Sequence, residues 1–337
     1  MTAPLSTISF LINTRIQIAR TCGIDVETVL QRAGVTESLL QQPWGRVSLA
    51  QENAIWRELV AITHDPAIGL KLGQYFQLPG FGLVGYILMN THTAGQGMKR
   101  FARYKPLLTN TSITDIDQTP ERLLLTERPV GEWQPERRCM FDFIASSLMT
   151  LQRNLGNRRA IPSLTQMRFP FPEPNDLTPY RDILGDIEFI FGDTVFQAHF
   201  AGDFNTVAVL GASPEMLAAF EQQAEALMAK YGDADLTNRV RQEILRSLRQ
   251  DAPTVQAIAH KLMMSARNLQ LKLKEEQTSF KTLLDEVRRD LAIEYLEAGQ
   301  LNISEIACLL GFSEVSAFSR RFKKWTGQSP SAFQRQS

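Results

Sequence analysis

The sequence is poor in the residues that build metal centres and covalent frameworks. Its 337 residues hold three cysteines, Cys22, Cys139 and Cys308, far apart, odd in number and without a C-x-x-C pair. That pattern excludes a disulfide scaffold and a cysteine zinc site, and predicts reduced, structurally buried thiols. The four histidines, His64, His92, His199 and His260, have no Cys or carboxylate partner at ligand spacing, so neither metal nor cofactor is expected through them. Neither G-x-S-x-G nor H-E-x-x-H occurs, and no residue is assigned a catalytic role. Asp115 and Asp117 alternate along a strand-like stretch and read as a solvated edge rather than a catalytic dyad. No apolar run approaches the roughly 18–20 residues of a membrane span, and "MTAPLSTISFLINTR" lacks a basic segment before its short apolar run. The expectation is a cytoplasmic protein without membrane association.

Net charge is absent as well, with 36 Lys and Arg against 36 Asp and Glu, but the balance is not local. Residues 235–337 hold 16 basic and 12 acidic residues, a surplus of +4 that leaves −4 on the remainder. A basic C-terminal third behind an acidic front points that third towards a polyanion. The length suits about two domains, each with its own core.

One motif suggests a dinucleotide enzyme: Gly80, Gly82 and Gly85 in "LPGFGLVGYILMN" spell G-x-G-x-x-G. That fingerprint needs a strand before it and an acidic residue about 20 positions after it. Here Pro79 directly precedes Gly80, and no Asp or Glu occurs from Phe81 until Asp115. The stretch is better read as a loop entering an apolar helix, with Gly82 and Gly85 allowing close backbone packing.

Residues 1–230 carry mixed patterns. Ile24–Ala33 and Leu49–Ile62 have helical spacing, Ser112–Gln118 and Arg122–Pro129 read as strands around a turn at Thr119 and Pro120, and "IEFIFGDTVFQAHF" has strand composition. A helix opens at Pro214 and ends before Gly232, which puts the joint between domains at Tyr231–Ala234. Beyond it nearly everything reads as helix, beginning with Leu236, Val240, Ile244 and Leu248 at four-residue intervals.

That second region contains a repeat. Thr254, Ile258, Ala259, Leu262, Met264 and Ser265 recur 48 residues later as Asn302, Ile306, Ala307, Leu310, Phe312 and Ser313. Leu269, Leu273 and Lys274 recur 49 residues later as Phe318, Phe322 and Lys323. Each copy describes a short capped helix, a tight turn and a second helix opening just after a Ser, with Asn302 and Glu305 at capping-box spacing. This is the helix-turn-helix layout, whose second helix enters a major groove of double-stranded DNA. The copies span about 254–276 and 302–326, joined by a linker helix at about 281–298 with an apolar stripe of Leu284, Val287, Leu291, Tyr295 and Leu296 and a C-cap at Gly299. Such a linker extends about 25 Å, so the two reading helices are expected about 34 Å apart, on successive grooves. Arg267, Asn268, Gln270 and Leu271, and Val315, Ser316, Ser319, Arg320 and Arg321, stand at exposed positions of the second helices, where Arg, Asn and Gln suit base edges. Lys272, Lys274, Lys323 and Lys324 suit phosphates.

"NISEIACLLGFSEVSAFSRRFKKWTGQSPSAFQ" resembles the second helix-turn-helix of the AraC/XylS family of bacterial transcription regulators, and "TVQAIAHKLMMSARNLQLKLKEEQTSFKTLLDEVRRDLAIEYL" resembles its first motif and linker. The resemblance implies base-reading roles for Arg267, Gln270 and Leu271 and for Val315, Ser316, Ser319 and Arg320. Leu271 stands where Arg is common, Gln277 where Gly is common and Ala266 where Pro is common. "GIDVETVLQRAGV", "RVSLAQENAIWRELVAITHDPAIGLKLGQYF" and "LTPYRDILGDIEFIFG" resemble the effector domain of the subgroup that includes ornithine-utilisation regulators, labelled arabinose-binding by association.

The expected architecture is therefore a mixed α+β effector-sensing and dimerisation domain (1–230) followed by an all-α DNA-binding domain (235–337) with two helix-turn-helix motifs joined by a linker helix. The expected function is transcription regulation, as an activator under a small-molecule effector. Homodimerisation and contact with RNA polymerase follow from the resemblance, and no enzymatic activity is expected. A ligand-independent or repressing regulator and an enzyme fused to a DNA-binding head are the alternatives. Phe76, Phe81, Tyr86, Phe101 and Tyr104, with Arg100 and Arg103 to pair a carboxylate, form the candidate effector site, against the competing reading of ordinary core aromatics and solvated arginines.

Overall fold

A computed structural model describes residues 4–154, 162–231, 236–248, 253–262, 264–276, 278–298, 301–312 and 314–334. The chain divides into two compact units between Gly232 and Asp233. The joint expected at Tyr231–Ala234 falls almost wholly outside the described residues.

The first unit opens with β1 (Ser6–Ile8), antiparallel to β2 (Arg46–Ser48). Around this pair lie α1 (Ser9–Thr21), α2 (Val26–Ala33), α3 (Glu37–Leu40), α4 (Leu49–Thr63), α5 (Ile68–Gly73), α6 (Leu83–Met89) and α7 (Ala94–Tyr104). Local chemistry sets these boundaries. Asp25 caps α2 through the Thr28 amide and Gly34 ends it in the left-handed conformation. Ser48 and Gln51 form a complete capping box at α4.

A five-stranded sheet follows, in the order β3 (Ser112–Gln118), β4 (Arg122–Pro129), β7 (Phe196–Ala201), β5 (Ser163–Phe169), β6 (Glu188–Phe191). Its pairs are antiparallel except β5 with β6. The β3–β4 hairpin closes on Thr119, whose Oγ1 accepts from the amides of Glu121 and Arg122 at 3.2 Å. Asp117 pairs with Arg122 at 3.0 Å beside that turn, in the edge role expected of it. The remaining helices are α8 (Arg137–Asn154), α9 (Thr178–Leu184) and α10 (Pro214–Tyr231).

The hairpin, α2, α4, the strand region from Ile187 and α10 follow the sequence patterns closely. α8 and β5 are additions, and α8 evades periodicity because it is buried on two faces. One face meets α5 at backbone contact, where a Cβ on Gly69 or Gly73 would stand 2.2 Å from the Cys139 carbonyl or 2.5 Å from that of Phe143. Cys139 is buried as expected, but Cys22 and Cys308 are exposed, which corrects the expectation for those two. Cys22 follows the last turn of α1, and Cys308 lies on the solvent face of its helix, opposite the buried Ile306 and Ala307.

The glycine stretch is the structural seam expected. Leu78–Phe81 is a single 3₁₀ turn, Gly82 takes a φ of 58°, and a Cβ on Gly85 would lie 1.8 Å from the Leu78 carbonyl oxygen.

The second unit consists of α11 (Leu236–Leu248), α12 (Val255–Lys261), α13 (Ala266–Glu275), α14 (Phe280–Ala298), α15 (Ile303–Leu309), α16 (Val315–Thr326) and α17 (Pro330–Gln334). Leu236, Val240, Ile244 and Leu248 of α11 are all buried. On α14 the buried row is Leu283, Val287, Leu291, Ala292 and Leu296, so Leu283 and Ala292 belong to the stripe, while Leu284 and Tyr295 sit at its margin. Gly299 lies outside the described residues.

Gly85→Ala has no room for its methyl and is expected to destabilise the first unit by about 1–3 kcal/mol, read by urea unfolding. A pH effect is expected at Asp142, a fully buried carboxyl that accepts the Tyr180 hydroxyl at 2.6 Å with Arg138 at 3.5 Å. Burial outweighs those favourable partners and pushes it up to about 7 from its ordinary 3.8. The unfolded chain releases this proton first, so stability falls as pH rises between those values and levels off above them. Asp142→Asn should flatten that fall in unfolding measured across the window.

Candidate nucleic-acid interface and effector cavity

The repeat read from the sequence is a repeat of hydrogen bonds. Thr254 caps α12 by accepting from the Ala257 amide, and 48 residues on Asn302 caps α15 by accepting from Glu305, which returns the bond in a full capping box. Each turn is then closed by one backbone bond, Met264 N to Ala259 O and Phe312 N to Ala307 O, both 2.9 Å. The same positions are buried in each copy: Ile258, Ala259, Leu262, Leu269 and Leu273, and Ile306, Ala307, Leu310, Phe318 and Phe322. The alanines, 1% and 2% exposed, leave space for the crossing helix. Ser265 caps α13 through the Asn268 amide. Its counterpart Ser313 lies outside the described residues, as does Gln277, and the Glu314 side chain makes no cap on α16.

α14 is tied to its neighbours by charge. Asp285 takes two hydrogen bonds from Arg321 of α16, and Glu286 takes one from Arg241 of α11. Arg288 donates to the Gly311 carbonyl at 3.0 Å and lies 4.5 Å from the Phe312 ring centre, clasping the second turn. Arg321 is therefore a positioning residue of the motif, and sequence spacing did not separate it from Arg320.

The other candidate positions are largely outward. Arg267, Asn268, Gln270 and Lys274 on α13 are exposed, as are Ser316, Arg320, Lys323 and Lys324 on α16, while Lys272 and Ser319 are half-buried. Leu271 is 53% and Val315 38% exposed. An apolar residue at a groove-facing position suits a thymine methyl.

In the first unit two adjoining chambers lie between the sheet and α7 and α8. Phe81, Phe101, Leu125, Leu148 and Leu151 line both. One chamber is walled by apolar groups such as Leu88, Met98, Leu123 and Phe200. The other ends in charge. Arg15 pairs with Glu52, which also accepts from Thr7 at 2.6 Å, and Lys105 pairs with Glu127, which accepts from Ser112 and Thr114 at 2.6 Å. All four charged side chains are at most 10% exposed. The Arg15 guanidinium lies 5.2 Å from the Phe143 ring centre, and its buried Nε has no hydrogen-bond partner among the described residues.

Of the seven positions named for the effector, Phe76, Phe81 and Phe101 line this cavity. The others face α10, and a role for Arg100 and Arg103 in pairing a ligand carboxylate is corrected. Arg100 pairs with Glu221 at 2.9 Å, Arg103 with Glu225 at 2.7 Å, the Tyr104 hydroxyl donates to Glu225 at 2.8 Å, and Tyr86 stacks on Phe220. α7 thus has two working faces, with Ala94, Gly97, Met98 and Phe101 on the cavity and Arg100, Arg103 and Tyr104 on α10. Arg15, Glu52, Lys105 and Glu127 were not singled out in the sequence. A usable signal was present at Glu127, a charge at an inward position in the alternation Leu123, Leu125, Glu127.

Comparison with known proteins gives the same division. Residues 23–202, more than half of the chain, match the family described as the arabinose-binding domain of AraC transcription regulator, N-terminal, and residues 258–336 match a helix-turn-helix domain. The ornithine utilization regulator of Pseudomonas aeruginosa is 28% identical over 92% of this chain and 91% of its own. The transcriptional regulator VirS of Mycobacterium tuberculosis is 27% identical over 93% and 92%. The crystal structure of the transcriptional regulator CdpR from Pseudomonas aeruginosa aligns over 92% of this chain and 96% of its own, at 20% identity and a TM-score of 0.42.

The division of labour between neighbouring arginines is testable. Arg320→Ala should weaken binding to the cognate operator by about 1–3 kcal/mol with thermal unfolding unchanged. Arg321→Ala should lower the stability of the second unit by up to about 1 kcal/mol, since its ion pair is partly exposed, and leave the ratio of operator to scrambled-DNA affinity as it was.

Proposed function

The chain belongs to the AraC family of transcription regulators, and from that premise we propose that it is an effector-controlled activator in which one chain reads two successive major grooves. Its helix-turn-helix domain makes it a DNA-binding regulator with an effector-type front domain, and it resembles regulators rather than enzymes along nearly its whole length. The observation that carries the further reading is the duplicated motif, with matched caps, turn bonds and buried positions, each copy presenting an outward second helix.

In this reading Arg267, Asn268, Gln270 and Leu271 read bases through α13, and Val315, Ser316, Ser319 and Arg320 through α16. Lys272, Lys274, Lys323 and Lys324 hold phosphates and set register. The DNA-binding domain occupies 235–337 and the effector-sensing and dimerising domain 1–230. The protein works in the cytoplasm as a homodimer that contacts RNA polymerase at the promoter, following its family and the logic of paired half-sites. The effector occupies the cavity of the first unit. α7 supports this link, because it touches the cavity with one face and α10 with the other, and α10 is the last element before the DNA-binding unit. A ligand that binds one arrangement of α7 and α10 better than another shifts the population of DNA-competent molecules.

Mapping the bound sites across a genome identifies the operator, and transcription from it, titrated with metabolites of the neighbouring genes, tests control. A ligand-dependent rise is expected. Ligand-independent or falling transcription would replace this reading with a constitutive or repressing regulator of the same fold. Operator affinity should fall steeply with salt, and the double substitution Lys323→Ala and Lys324→Ala should reduce the slope of log K against log salt by about 2, one for each lost phosphate contact.

A further inference from the structure

The cavity has a direction, and two elements of the fold set it independently. Along β4, Leu123 faces the apolar chamber, Leu125 both chambers, and Glu127 the polar one. Along α7 and the residue after it, Ala94, Gly97 and Met98 face the apolar chamber, Phe101 both, and Lys105 the polar one. The two rows converge on the Lys105–Glu127 ion pair. Residues 123 to 127 span about 13 Å of strand, and residues 94 to 105 about 16 Å of helix. The lining of the two chambers thus runs along β4 and α7 from largely apolar at one end to charged at the other.

The polar end constrains the charge of its occupant. Arg15 and Lys105 are both cationic, but each is already neutralised by a buried carboxylate, Glu52 and Glu127, so the charged lining sums to zero. A ligand with a net charge would enter a desolvated space with no uncompensated counter-charge, at a large cost. A neutral group with both donor and acceptor atoms meets no such cost. The Arg15 guanidinium, which gives Nη1 to Glu52, has further N–H groups to donate to its carbonyl, and the hydroxyls of Thr7, Thr109 and Ser112 and the carboxylate edges can meet its donors.

We propose that the effector is an amphipathic molecule, an extended apolar chain carrying a head group of zero net charge with hydrogen-bond donor and acceptor, as in an acyl amide. This deepens the effector reading above and rests on it. The chain lies between Leu123, Met98 and Phe200, passes Phe81 and Phe101, and sets its head beside Arg15 and Lys105. A compact polar molecule would leave the apolar chamber unfilled.

The test is calorimetric titration of the full chain, without DNA, with decanamide, decanoate and decylamine, which share a chain and differ in head charge. Saturable decanamide binding is expected, with decanoate and decylamine weaker by about tenfold or more. Leu148→Trp, which fills the junction of the chambers, should abolish decanamide binding while its own unfolding and its non-specific DNA binding stay as in the parent. Glu127→Gln leaves an unmatched positive charge and should reverse the preference towards decanoate. If that variant does not fold, the selectivity of the unaltered chain decides alone. Decanoate binding as tightly as decanamide, failure of all three probes to bind, or undiminished binding to folded Leu148→Trp would overturn the proposal. The effector reading fails separately: decanamide binding with no change in transcription contradicts control by this cavity. Transcription driven by a small chainless molecule retains control and contradicts the ligand class.

Discussion

Charge withdrawn from water must be paired, and that requirement sorts the cations of this protein into those that hold the fold and those that face outward. In the second unit Arg241 and Arg321 are spent on Glu286 and Asp285 of α14, and Arg288 on a backbone carbonyl and an aromatic face. These contacts tie α11, α16 and the second turn to one helix. Arg267, Lys274, Arg320, Lys323 and Lys324 remain exposed on the two second helices, where a polyanion can meet them. In the first unit the same rule draws α1, α4, the end of α7 and the β3–β4 hairpin together around two buried ion pairs, and those pairs close one end of the cavity. Buried pairs of this kind add little net stability but strongly penalise any arrangement that separates them.

Legibility in the sequence followed how local the determining physics was. Caps, turns and single-faced periodicity act within a few residues, so the repeat at Thr254 and Asn302, the β3–β4 hairpin and the two ends of α10 could be read from the chain alone. The chemical role of an arginine depends on what lies across from it. Arg320 and Arg321 are adjacent and alike in sequence, yet Asp285 holds the second and leaves the first outside. For the same reason Arg100 and Arg103 suggested a ligand carboxylate, and α10, more than a hundred residues away, supplies Glu221 and Glu225 instead. The cavity was illegible because its walls come from α1, α4, α6, α7, α8 and four strands, and no pattern within any one of them announces a void. The glycines of "LPGFGLVGYILMN" form the close-packed seam expected of them, but their consequence was hidden: the turn they permit places Phe81 where the two chambers adjoin.

The arrangement also explains how a small ligand can matter to a distant helix. Packed cores shift between discrete states rather than deforming smoothly. α7 is a short helix with a void on one face and ion pairs to α10 on the other, so filling the void changes what one face must accommodate while the other keeps its partners. The energy available is the ligand's difference in affinity between the two arrangements and no more.

The central claim is that one chain uses both helix-turn-helix copies on DNA. Hydroxyl-radical footprinting of the full chain on its operator tests it most directly. The account predicts two protected segments per half-site, centred about one helical turn, roughly 10–10.5 base pairs, apart on the same face of the duplex. A single protected segment per half-site, unchanged when Arg267 and Gln270 are replaced by alanine, would contradict it.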